Sequence, residues 1–137
     1  MDMNNNNDRC LSLKKIRPAI PMIIEEAATS VEERFQNICL RPILKFQNDL
    51  LLAVFKSYLE LRKGAFYALS KTKKLEYIEH AIRKDLKFKN LLIGVVAGQF
   101  TVAEWDIYTT HERELRKRVT GLLVQRIQDG FSSIGEG

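Results

Sequence analysis

Asn90-Leu91-Leu92-Ile93-Gly94-Val95-Val96-Ala97-Gly98-Gln99 is the stretch on which the fold turns. Its centre, Leu91 to Ala97, is an unbroken apolar run, and such a run fits either a buried strand or a buried helix. A lone strand leaves its N–H and C=O groups without partners, and the chain holds no second strand-like segment to receive them. A helix satisfies its own backbone and needs only neighbours to cover it. The segment is therefore expected to be a buried helix, with Gly94 and Gly98 letting another helix approach closely. That choice makes the chain all-α.

The flanking segments agree. On the N-terminal side, Ser70 caps a helix that carries Leu75, Ile78, Ala81, Ile82 and Leu86 inward. Before it, Ile43, Gln47, Leu50, Leu51, Val54, Tyr58 and Leu61 recur at three- and four-residue steps, one apolar stripe of about five turns. Lys63-Gly64 ends it, with a cation and a glycine where a helix C-terminus favours them. Pro42 interrupts the preceding helix or starts the next one: it lacks an N–H and disfavours helical geometry in the residue before it, so Arg41 is the expected break. Thr29-Ser30-Val31-Glu32 and Ser30-Val31-Glu32-Glu33 both fit the capping box, which starts a helix near Val31.

On the C-terminal side, Thr101-Val102-Ala103-Glu104 is a second capping box. It opens a stripe of Trp105, Tyr108, Leu115, Val119, Leu122, Leu123 and Ile127. The phase does not break, which predicts one helix of roughly 26–28 residues with a kink at Thr109-Thr110. At about 1.5 Å per residue such a helix is about 40 Å long and overhangs a compact body, so part of it is expected to pair with another chain. The expected architecture is a compact bundle of about four or five helices over residues 30–130. A flexible leader containing Asn4-Asn5-Asn6-Asn7 spans 1–29, with Ile20 to Ile24 docking on the body. A frayed tail spans 131–137.

Composition fits one soluble domain: 137 residues, 45% hydrophobic and 28% charged, with seven Gly and three Pro. Collagen-like and proline-rich disordered classes are excluded. Cys10 and Cys39 form no C-x-x-C pair and no framework of disulfides. Met1 to Asn7 is acidic and Asn-rich, and Pro18 and Pro21 cut the apolar stretch that follows, unlike a signal peptide. No apolar run approaches the ~20 residues that span a bilayer. The expectation is a soluble, cytoplasmic protein without a membrane partner.

Groups for catalysis are sparse. His80 has Glu76 one turn before it and His111 stands beside Glu112, but no third metal ligand accompanies either. G-x-S-x-G, Walker and G-x-G-x-x-G patterns are absent from the sequence. Cys39, between Ile38 and Leu40, fits a buried small hydrophobe. No catalytic residue, no metal ligand and no cofactor is expected, and the balance leans away from an enzyme.

Charge is more informative. The chain carries +5, and Lys71 to Lys89 holds seven basic residues against three acidic. Lys73, Tyr77, His80, Lys84 and Lys87 share one side of a helical wheel, cations with an aromatic that together suit phosphates and a stacked base. The competing interpretation is a solvated face bordered by Glu76 and Glu79. Arg113, Arg116, Lys117 and Arg118 are balanced by Glu112 and Glu114 at helix-pair spacing. A polar set, Gln47, Asn48 and Asp49, interrupts the inward stripe. Its expected partners are Glu104 and Arg126, in a network that fixes helix register or forms a small polar site.

Phe35-Gln36-Asn37, Arg41 through Asp49, and Lys89-Asn90 through Gly94, Gly98 and Phe100-Thr101 also resemble a group of small all-helical bacterial proteins that carry the name glyoxalase. The resemblance covers residues 31–129. The name implies lactoylglutathione lyase, an activity that elsewhere uses a βαβββ fold with His and Glu metal ligands; neither is visible in this sequence, and no catalytic residue is carried over. Three expectations follow in order. The first is a homodimeric protein-interaction module using Trp105, Tyr108, Leu115, Val119 and Leu122. The second is a nucleic-acid- or ribosome-associated factor using the basic helix, and the third is the activity implied by the name.

Overall fold

The computed structural model describes residues 3–18 and 30–134. Among them every regular element is helical, so the all-α class holds. The helices are α1 (Met3–Ile16), α2 (Val31–Phe35), α3 (Arg41–Phe46), α4 (Asn48–Glu60), α5 (Lys71–Lys84), α6 (Leu86–Ala97), α7 (Val102–Thr110) and α8 (Glu112–Ile134). A π-helical segment, Gln36–Leu40, joins α2 to α3, and a 3-10 turn, Ala65–Ala68, precedes α5. Breaks at polar residues divide the bundle into more helices than expected.

α8 is the axis. It packs against α3, α4, α5, α6, α7 and the π segment. Leu115, Val119, Leu123 and Ile127, at four-residue steps, bury the side that meets them. Phe55 centres one end of the core, with the rings of Phe131, Phe66 and Phe88 at 5.0, 5.9 and 6.0 Å. Phe35, Phe100 and Tyr108 form a second cluster, in steps of 5.6 Å. Edge-to-face and tilted pairs of this kind add about 0.5–1.5 kcal/mol each beyond the area they bury.

Several caps are as expected. Ser30 Oγ accepts from the Glu33 amide at 3.0 Å, and Ser70 Oγ from Lys73 at 3.3 Å. Thr101 and Glu104 complete a reciprocal capping box. Leu91 to Ala97 is helical within α6, as expected.

Other expectations are corrected. Arg41 is no break. Its N–H bonds to the Gln36 carbonyl, five residues back. This wider turn eases the clash that the Pro42 ring makes with the carbonyl four residues before it. The break falls instead at Gln47 (φ −89°, ψ 5°). A stripe drawn through it therefore misses the phase of α4: Leu50 is exposed and Leu61 is 82% exposed, while Phe55 and Leu59 are buried. Leu86 also faces solvent, because α6 starts there from the Asp85 cap rather than continuing α5.

The long C-terminal helix is two helices. His111 (φ −116°, ψ 32°) separates α7 from α8. Thr109 Oγ1 bonds to the Trp105 and Asp106 carbonyls, and Thr110 Oγ1 to that of Asp106, side-chain bonds that bend a helix just before the break. α8 has 23 residues, about 34 Å, and is buried by its own chain rather than overhanging it.

The leader and the glycines also differ from expectation. Residues 3–16 of the expected flexible leader form α1, and the proposed docking of Ile20 to Ile24 lies outside the described residues. Gly94 is exposed and a Cβ there would meet open space; Gly98 faces only the carbonyls of its own helix end. The close approach is at Gly130, where a Cβ would collide with the Leu52 side chain.

Candidate functional site

α1 is tied to the end of α6 and the start of α7. Arg17 Nη1 bonds to Glu104 Oε2 at 2.6 Å, and Arg17 Nη2 bonds to Glu104 Oε1 at 2.9 Å and to the Gln99 carbonyl at 2.9 Å. Arg9 donates to the carbonyls of Phe100 and Gly98 at 2.6 and 3.1 Å. These acceptors belong to the end of α6 and the turn after it, where helix geometry leaves carbonyls without partners. Glu104 Oε1 also accepts from the Thr101 amide at 2.8 Å. Burial opposes ionisation of Glu104, but Arg17 and the Thr101 amide outweigh it and hold the carboxyl below the usual range.

Beside this clasp, α2 and the π segment form one wall of a groove of about 260 Å³, and α7 forms the other. Phe35 and Cys39 are buried at its base, while Val31, Ile38 and Ile107 are about half exposed around it. Burial pushes the Cys39 thiol well up from its ordinary value, and the Glu104 carboxylate adds to the effect against the opposing Arg17. Cys39 is buried, as its apolar neighbours in sequence suggest, and the raised value favours the protonated thiol.

α7 is apolar around much of its circumference. Tyr108 faces the core, but Val102, Ile107 and Trp105 are exposed, the indole by 49%. At about 100° per residue, Trp105 and Ile107 lie on opposite flanks of the helix. The indole stacks on the Tyr108 ring at 5.8 Å.

Trp105 is the member of the expected interface set that remains on the surface. Tyr108, Leu115 and Val119 are corrected: all three are buried in the chain's own core, and Leu122 is half-buried against it. Their stripe marks intramolecular packing, because α5, α4 and α6 fill the side that was assigned to a second chain.

The basic set divides. Lys73, His80 and Lys84 are exposed on α5, Lys87 is exposed on α6, and Tyr77 is half-buried with its ring 5.5 Å from Phe66. Tyr77 is committed to the core edge and does not interleave with the cations as a stacking platform. His80 borders a shallow cavity of about 320 Å³ with Glu76, Glu79, Arg83 and Lys84, where Arg83 pairs with Glu79 at 3.6 Å.

The polar set forms in part. Arg126 Nη1 donates to Asn48 Oδ1 at 3.4 Å, and Asn48 Nδ2 to Asp49 Oδ1 at 3.2 Å. Gln47 Nε2 donates to the Val95 carbonyl at 3.1 Å. Glu104 is no member, since its carboxylate pairs with Arg17 and caps α7 instead.

Sequence reasoning did not find Arg9, Arg17 or Asp85. Asp85 Oδ1 caps α6 through the Phe88 amide at 3.1 Å, while Oδ2 accepts from Tyr58 at 3.2 Å and Arg62 at 3.3 Å. An Asp immediately before Leu86, the first residue of α6, was a legible capping signal. Arg9 and Arg17 had no such signal, because their acceptors are mostly backbone carbonyls. His111 Nδ1 approaches Glu32 Oε1 at 2.8 Å, joining the α7–α8 corner to α2.

Among the described residues no three His, Cys, Asp or Glu side chains come together as a metal-ligand set. No helix among them is long and apolar enough to cross a membrane. Comparison with protein-family models, with curated proteins and with solved structures finds no match to this chain.

Proposed function

We propose that the chain is a non-catalytic protein-interaction module that self-associates through α7 and the groove beside it. One observation carries this: Ile107 of α7 stands exposed at a groove rimmed by Val31 and Ile38, and the same nine-residue helix leaves Val102 and Trp105 in solvent on its other flank. Exposed apolar surface gains about 25 cal/mol per Å² when covered, and a partner supplies the cover that the bundle does not.

The residue types favour a protein surface over a polyanion. α7 holds no basic residue, and of its two carboxylates Glu104 is tied to Arg17. An aromatic among aliphatics with few charges is the composition of an interface centre. The occupant is a second copy. Copies related by a two-fold axis present these same exposed apolar residues to one another. A stable interface buries about 800 Å² per partner, so α7 and the groove form its centre and their polar surroundings its rim.

Light scattering on a sizing column tests this. The wild-type chain is expected at twice its 15.8 kDa monomer mass. Trp105→Glu and Ile107→Glu are expected at the monomer mass with unchanged helical circular dichroism, whereas Leu115→Glu unfolds the chain because Leu115 is fully buried. A wild-type monomer at every concentration overturns the proposal. A complex with nucleic acid that salt dissolves would transfer the function to the exposed Lys73, Lys84 and Lys87.

A further inference from the structure

A second cavity, of about 340 Å³, lies between α3 and α8, around the register residue Arg126 and away from α7. Its cations are Arg41 and Lys45 from α3 and Arg126 from α8; Leu44 and Leu122 supply apolar surface, and Gln125 and Asp129 complete the lining. We propose that this cavity binds a phosphate monoester, with the phosphoryl group held by Arg41, Lys45 and Arg126 and the body of the ligand against Leu44 and Leu122.

The charge count is the first support. Three cations face one carboxylate, a surplus of two that matches the roughly −1.5 to −2 of a phosphate monoester at pH 7. The arrangement also works against the helix that carries it. Arg41 and Lys45 are like charges at i, i+4, which costs a helix about 0.2–0.5 kcal/mol, and α8 places Arg126 at the same cavity.

The anchoring is the second support. Arg41 Nε donates to Asn37 Oδ1 at 3.0 Å, and Arg126 Nη1 to Asn48 Oδ1 at 3.4 Å. Neutral amide oxygens hold both guanidinium groups in place without cancelling their charge. A guanidinium has five N–H donors, so each retains a fork suited to two phosphate oxygens. Asp129 accepts from Gln125 Nε2 at 2.9 Å, within its own helix. The cavity has the volume of a small-molecule site, and it pairs charged walls with an apolar floor.

Calorimetric titration of the full chain with inorganic phosphate, adenosine monophosphate and adenosine tests the proposal, against sodium chloride at equal ionic strength. Phosphate and the monophosphate are expected to bind, the monophosphate more tightly, and adenosine not to bind. Arg126→Gln and Lys45→Gln are each expected to weaken the monophosphate about tenfold, while Lys84→Gln on α5 leaves it unchanged. Lys45 is exposed, so its replacement tests the site even where Arg126→Gln perturbs folding through Asn48. Equal affinity in wild type and Lys45→Gln, or absence of heat with both phosphate probes, overturns the proposal. Binding of anionic vesicles or RNA without either small phosphate would likewise overturn it and make the seam a macromolecular surface.

Discussion

Arg17 and Glu104, 87 residues apart, meet through two hydrogen bonds of 2.6 and 2.9 Å, with both side chains mostly buried. The pair closes the described part of the N-terminal region onto the body, and its Glu104 end also belongs to a helix cap. Removing one partner leaves a charge desolvated and unpaired, which is costlier than losing a surface ion pair.

Arg17→Ala is therefore expected to lower stability by about 3 kcal/mol in chemical denaturation. The pH dependence has a definite sign. The Glu104 carboxyl is held below its ordinary value in the fold, so its contribution is present above the unfolded pKa of about 4.3 and is lost as pH falls through the lower folded value. Glu104→Gln is expected to flatten the acid limb of the stability profile. An acid limb identical to wild type would show that the pair contributes nothing to folding.

Glycine replacements should separate two positions that look alike in sequence. Gly94→Ala puts a methyl group into open space inside α6 and is expected to stabilise by about 0.5–1 kcal/mol. Gly130→Ala drives a methyl group into Leu52 and is expected to destabilise by about 1–3 kcal/mol. Thermal unfolding of the two variants checks both signs, and a shared sign would contradict the packing at Leu52.

Thiol chemistry should divide the two cysteines. Cys39 is buried, and burial raises its pKa first, with Glu104 adding to the effect. Cys10 is half-exposed on α1. Iodoacetamide at pH 8 is expected to modify Cys10 and spare Cys39 until denaturant is added, as read by peptide mass spectrometry. Equal native rates at the two positions would show that α2 and its neighbours open readily.

The parts of this fold legible in the sequence are those governed by local rules. Ser30, Ser70 and Thr101 start helices where their hydroxyls can cap them, and the apolar run at Leu91 has no strand to pair with. Phase across a break was not legible. Gln47 and His111 look like ordinary helical residues, yet each resets the register, and extending a stripe through Gln47 left Phe55 and Leu59 out of the core and placed Leu50 and Leu61 in it. The interface assignment failed for a related reason, since an apolar stripe on α8 does not say whose side chains cover it. Of the proposed phosphate site, Arg41 and Lys45 stand far from Arg126 in sequence, and only the crossing of α3 and α8 makes them one cavity.

The contacts of Arg9 and Arg17 bear on the order in which the chain acquires its structure as it is made. Both arginines leave the ribosome long before Gly98, Gln99, Phe100 and Glu104, which accept their hydrogen bonds. A 14-residue polar helix is only marginally stable alone in water. α1 must therefore wait, without its partners, until α6 and the start of α7 have been synthesised. The earliest of the described segments to be made is among the last to be secured.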